Sequence, residues 1–156
     1  MEIYLGADHN GFELKNELKK WLEGKGHTVV DAGPTEFDKG DDYPDFGYEV
    51  AKAVAEAPDT RRGIAVCGSG VGMAVVADKV PGIRAALIHD PDIARSAQRD
   101  DNINVLALGS QYISPNKAKE VVEAWLETPF SGAERHVRRI GKIAGYEKAD
   151  SSAASE

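Results

Sequence analysis

Only one residue in 156 is cysteine, Cys67, so neither an intrachain disulfide framework nor a cysteine zinc cluster can form. That scarcity fits a reducing compartment, and the expected location is cytoplasmic. No apolar run approaches the roughly 20 residues of a membrane span. The start, Met1-Glu2-Ile3-Tyr4-Leu5, has neither the basic region nor the apolar stretch of a signal peptide. Cations are outnumbered, with 19 Lys and Arg against 26 Asp and Glu and a net charge of −7. This balance argues against nucleic acid or anionic membrane as a partner, while leaving room for a local basic pocket. What is present is globular: 42% of residues are apolar and 29% charged, which excludes a disordered chain. The length suits one domain with a buried core.

Short apolar runs alternate with segments of helical period. Ile3-Tyr4-Leu5 reads as a strand, and Phe12, Leu14, Leu18, Trp21 and Leu22 share one face of the helix that follows. Asn10 is its expected cap, with Glu13 three residues later. Further strands are expected at Thr28–Val30, Gly63–Cys67, Ile83–Ile88 and Val105–Leu108. Helices are expected over 46–56, 73–79, 91–99, from Ser114-Pro115 to before Pro129, and over 133–143. Five strands, each followed by a helix, imply a three-layer α/β/α sandwich with a Rossmann-like five-stranded parallel sheet. One domain is expected over residues 1–146, and the Ser-, Ala- and acid-rich residues 147–156 read as a disordered tail. Ligands of such sheets bind beyond the carboxyl ends of the strands. Asp8-His9, Cys67 to Gly72, His89-Asp90 and Gly109 to Gln111 therefore draw attention.

The sharpest local feature is Cys67-Gly68-Ser69-Gly70-Val71-Gly72. Alternating glycines let a ligand approach the backbone, and successive N–H groups can cradle an anion. A Walker loop fails for want of Gly-Lys-Ser/Thr. Met73 stands where a dinucleotide fingerprint needs its third glycine and where a cysteine phosphatase needs arginine. The bland alternative is a tight turn with a structural cysteine. Facing a helix N-terminus, Cys67 occupies a setting that favours thiolate, open to use as nucleophile, redox centre or proton-transfer base. With no second cysteine, dithiol cycling is excluded. Arg135 and Arg139, four apart, share a helix face with Arg138 nearby, either a phosphate clamp or a solvated surface.

Together these motifs resemble the type B ribose-5-phosphate isomerase and galactose-6-phosphate isomerase family. The likeness runs from about Glu2 to Ile143 and is carried by five elements in order. These are Gly6-Ala7-Asp8-His9-Asn10-Gly11 with Leu14-Lys15, then Asp42-Tyr43-Pro44, then Cys67 to Gly72 with Gly82-Ile83-Arg84-Ala85. Asn104 to Ser110 and Arg135-His136 complete the series. The resemblance implies interconversion of an aldose and a ketose through a cis-enediolate, with no metal or organic cofactor. Cys67 takes the position of the family's base, and Ser69 that of the hydroxyl that moves a proton between O1 and O2. Backbone N–H groups of Gly68, Gly70, Val71 and Gly72 are expected around the enediolate. Asp8 is implied as a contact to sugar hydroxyls and Tyr43 as a pocket wall, with His9, Arg135 and Arg139 on the phosphate. A homodimer or homotetramer is also implied, its sites shared between subunits.

The departures bear on substrate. Asp100 and Asp101 stand where the family usually has His-Asn, the histidine assisting ring opening. Gln111 stands where an arginine often contacts phosphate. Asp100 is then either a replacement for that histidine, acting on ribose 5-phosphate, or a sign that no ring is opened. A tetrose 4-phosphate, its O4 esterified, cannot form a furanose. A hexose phosphate, or a non-catalytic sugar-phosphate binder on the same scaffold, are the remaining alternatives.

Overall fold

The computed structural model describes the backbone of residues 1–154 and side chains through residue 150. Five strands form one sheet: β1 (Glu2–Ala7), β2 (Thr28–Asp31), β3 (Arg61–Cys67), β4 (Ala85–Leu87) and β5 (Val105–Gly109). Their order is β2-β1-β3-β5-β4 and every pairing is parallel. The sheet is thus the one expected. Parallel neighbours need crossovers, and these are supplied by α1 (Phe12–Gly24), α2 (Tyr43–Ala55), α3 (Val71–Ala77) and α4 (Pro91–Ser96). After β5 come α5 (Pro115–Glu127) and α6 (Glu134–Ala154).

The period of two along each strand divides the core into two faces. Ile3, Leu5, Ile64, Val66, Leu106 and Leu108 meet Leu14, Leu18 and Leu22 of α1 and Val121, Val122 and Trp125 of α5. The opposite face carries smaller side chains. Val105 packs with Val50 and Val54 of α2, and Ala65, Cys67 and Ala107 pack with Met73 of α3. Each fully buried leucine or valine contributes about 1.5–3 kcal/mol relative to exposure. On the second face close approach matters as much: a Cβ on Gly63 would stand 2.6 Å from Val50 Cγ1, and one on Gly47 2.5 Å from Val76 Cγ1.

Several boundaries differ from expectation for local reasons. Helix α1 is capped by Gly11, not by the Asn10 side chain; Asp8 Oδ1 instead accepts the N–H groups of Asn10 and Gly11 at 2.9 and 3.1 Å. Helix α2 begins at Tyr43 because Pro44 sits in its first turn, where its missing N–H costs nothing. Strand β4 is short: Asn104 Oδ1 accepts the Arg84 N–H at 2.8 Å and its amide donates to Gly82 O at 2.9 Å, replacing ladder bonds. The helix expected over 91–99 ends at Ser96 and passes into a π-helical turn, Ala97–Asp101. Asn102 follows in the left-handed region with φ 47°, a conformation that asparagine tolerates.

Helix α6 runs past the expected end at Ile143 as far as Ala154. Its alanine-containing sequence propagates a helix already nucleated at Glu134, and Glu147 Oε2 accepts the Gly82 N–H at 3.1 Å. The last two residues of the expected tail lie outside the described region.

Candidate active site

Register alone lines up the residues that matter. Ala7 pairs with Val66, and Cys67 with Gly109, so Asp8, Cys67 and Ser110 emerge side by side from β1, β3 and β5. The ladder continues past the strand ends. Val66 O accepts the Asp8 N–H at 3.2 Å, Cys67 O that of Ser110 at 2.9 Å, and Gly68 O that of Gln111 at 3.0 Å. Ser110 Oγ donates to Asn10 O at 2.7 Å, tying the first loop to the last.

A cavity of about 490 Å³ opens here. Asp8, Asn10 and Gln111 line one side, Cys67, Gly68 and Ser69 another, and Tyr43, Val71, Gly72 and Val75 the third. Glycine is required at three points around it. Gly70 has φ 77°, and a Cβ there would reach within 2.5 Å of Leu87 Cδ1 and 2.8 Å of the Leu108 backbone. A Cβ on Gly72 would lie 2.6 Å from the Tyr43 ring, which fixes that wall. On Gly109 it would stand 2.4 Å from Ser69 O. The loop is therefore clamped sterically between β4, β5 and α2.

Cys67 is only 4% exposed yet borders the cavity. Its Sγ accepts the N–H of Gly70 at 3.2 Å, a bond that stabilises sulfur most when it carries charge. Ser69 Oγ accepts the Val71 N–H at 3.3 Å. The N–H groups of Gly70 and Val71, expected to face an enediolate, are thus directed at the Cys67 and Ser69 side chains. Behind the loop, His89 Nε2 accepts the Gly109 N–H at 3.0 Å. Burial lowers the His89 pKa, so this ring stays neutral and keeps that acceptor.

His9 follows Asp8 in the chain, its side chain 27% exposed and its Nδ1 2.7 Å from Asp41 Oδ1. That hydrogen bond is the main reason its pKa is raised. The remaining expected residues are not gathered at the glycine loop. Asp100 accepts from Arg99 Nε at 2.9 Å and lies 3.8 Å from His136 Nε2. The Arg99 hydrogen bond holds its carboxyl below the usual range, which makes it a charged acceptor rather than a proton donor. Asp101 borders a separate cavity of about 500 Å³ with Arg84, Ile143 and Tyr146. Arg135 and Arg139 are exposed on α6. Among the described residues, no Lys, Arg or His lines the glycine-loop cavity.

Three further residues border the site or hold its neighbours: Asn10, Val75 and Asp41. Asn10 lines the cavity and does not cap α1, and its place directly after Asp8-His9 is the signal for that. Val75 read as an ordinary helical residue. Asp41, in an acidic run, gave no signal at all.

Acid, amide, thiol and hydroxyl groups line a small cavity at the carboxyl ends of a parallel sheet, a set able to hold a small polar molecule and move protons on it. Residues 3–143 match the family described as Ribose/Galactose Isomerase, and the chain belongs to that family. It is 42% identical to the probable ribose-5-phosphate isomerase B of Mycoplasma pneumoniae, over 94% of this chain and 95% of that one. Identity is 40% to the D-erythrulose-4-phosphate isomerase of Pectobacterium atrosepticum, covering 94% and 95%. The crystal structure of ribose-5-phosphate isomerase B from Mycoplasma genitalium with bound ribulose-5-phosphate superimposes with a TM-score of 0.91. There the identity is 42% and the coverage 94% and 96%.

Proposed function

We propose that the chain interconverts ribose 5-phosphate and ribulose 5-phosphate, with Cys67 as base and Ser69 as proton carrier. The observation that carries this reading is the position of Cys67 Sγ, at the cavity wall beside Ser69, with the Gly70 N–H on it at 3.2 Å. In the forward direction the thiolate takes the proton from C2 of the open aldose, and the electron pair forms the C1–C2 double bond of a cis-enediolate. Ser69 relays a proton from O2 to O1. The thiol then returns its proton to C1, leaving a carbonyl at C2. Asp8 and Asn10 are placed to hold sugar hydroxyls, and Tyr43 and Val75 to close the wall. Acid–base work of this kind supplies roughly 10²–10⁴-fold.

Among the described residues the cavity lining offers a phosphate dianion no cation, so its counter-charge comes from beyond it. His9 is adjacent, and Arg135 and Arg139 reach the phosphate if a second copy of the chain packs there, as the family resemblance implies. Exposed Val71 and Val75 at the cavity support such a shared site. Asp100 and Asp101 would arrive from the same partner.

A second substrate reading rests on those aspartates. Asp100, charged and bound to Arg99, is poorly suited to donate a proton to a ring oxygen, and a tetrose 4-phosphate needs no ring opening. A relative of 40% identity is named for a tetrose phosphate. Initial rates on ribose 5-phosphate, allose 6-phosphate and erythrose 4-phosphate separate the cases. We expect the highest kcat/KM on ribose 5-phosphate; tenfold preference for erythrose 4-phosphate would replace it with the tetrose reading.

A further inference from the structure

The loop from Asp31 to Asp42 is anchored at both ends by charge. At its start, Lys15, fully buried, donates from Nζ to Asp31 Oδ1 at 2.8 Å and to Pro34 O at 2.5 Å. At its end, Asp41 Oδ1 accepts the His9 backbone N–H at 2.9 Å and lies 2.7 Å from His9 Nδ1. The Asp41 side chain is only 8% exposed, and its Oδ2 is buried without a hydrogen-bond partner. A buried carboxylate needs compensation, and here both donors belong to His9.

We propose that Asp41 is a positioning residue that fixes the His9 ring and its positive charge for the substrate's phosphate. The proposal rests on the sugar-phosphate reading above and extends it to a residue outside the cavity. With Nδ1–H committed to Asp41, Nε2–H is the ring's remaining donor, and a donor on an imidazolium binds a phosphate oxygen more strongly than one on a neutral ring. The charged groups acting on the ring are Asp41, from the loop, and Asp8, from the end of β1. Both are acidic and both favour the cation. Before substrate arrives the ring's position is set by two bonds to one carboxylate, which also favours the ring's charged form.

The experiment pairs a spectroscopic readout with a kinetic one. Imidazole signals of the four histidines are followed by NMR against pH, with His9 assigned from its loss in His9→Asn. In the wild type, His9 should titrate above the ordinary value of about 6.5. In Asp41→Asn it should titrate lower, and Asp41→Glu should recover part of the difference. With ribose 5-phosphate, Asp41→Asn should raise KM about tenfold near pH 7.5 with kcat within about threefold, and the rise of KM with pH should begin earlier. Inorganic phosphate alone is the control for the anion: it should raise the wild-type His9 titration further. An unchanged His9 titration in Asp41→Asn overturns the proposal, and so does a shifted titration with unaltered KM. If the isomerase reading were wrong, turnover on every sugar phosphate would be absent while the response of His9 to Asp41 and phosphate persisted. If Asp41→Asn does not fold, an ordinary or lowered His9 titration in the wild type is enough to overturn the proposal.

Discussion

Two loops flank the carboxyl end of β1, and they are held in place by opposite means. The glycine loop, 67–72, is fixed by contact. Gly70 lies against Leu87 and Leu108, Gly72 against Tyr43, and Gly109 against the Ser69 carbonyl, with no ion pair involved. The 31–42 loop carries charge at both ends, Lys15 on Asp31 and Asp41 on His9, with the Phe37 ring against Phe12 between them. Steric fixation suits the proposed base and hydroxyl, whose reach to carbon and oxygen must be accurate to a fraction of an ångström. Charge fixation suits recognition of a dianion, which tolerates more displacement and needs a cation. The difference predicts that the glycine loop responds to added volume and that the two loops respond to pH in opposite directions.

The largest expected effect comes from breaking the steric clamp. Gly109→Ala places a methyl 2.4 Å from Ser69 O, a backbone atom that cannot swing aside. We expect a loss of about 2–3 kcal/mol in denaturant unfolding and a fall in kcat larger than any change in KM. A cost below about 0.5 kcal/mol, the level of a surface substitution, would show that the loop is not clamped there.

A smaller effect sharpens the contrast through pH. His89, behind the glycine loop, has a lowered folded pKa because it is buried. Its contribution to stability is complete above about 6.5 and is lost as pH falls through the folded value. His9 has the reverse shift, caused first by its hydrogen bond to Asp41. Its contribution is complete below about 6.5 and is lost as pH rises through the folded value. The Tm difference between wild type and His89→Ala should therefore shrink on acidification, and that between wild type and Asp41→Asn on alkalinisation. Parallel trends in the two variants would contradict the division between the loops.

The same contrast explains how much could be read from the residues alone. Continuous apolar runs such as Ile64-Ala65-Val66 and Leu106-Ala107-Leu108 announce strands covered on both faces, and the parallel sheet followed from them. Asp8, Cys67, Ser69 and Gln111 come together because each lies at or just past a strand end, a position visible in sequence; Tyr43 joins them from the start of α2. Hydrogen bonds to side chains were not visible. Asn104 shortens β4, Asp8 rather than Asn10 holds the turn before α1, and Asp41 reaches back 32 residues to His9. Nor does sequence tell whether Asp100 and Arg135 serve their own chain's cavity, because nothing in periodicity distinguishes a residue from its copy in a neighbour.

The central claim is that the Cys67 thiolate moves the carbon-bound proton. It is tested most directly by incubating wild type and Cys67→Ala with ribose 5-phosphate in deuterated water and following deuterium at C2 of the aldose and C1 of the ketose. The wild type should incorporate deuterium during turnover. Cys67→Ala, folded by circular dichroism, should do so at least 100-fold more slowly, at the lower end of acid–base catalysis, about 10²–10⁴-fold. Exchange in Cys67→Ala within tenfold of the wild-type rate would remove Cys67 from the mechanism.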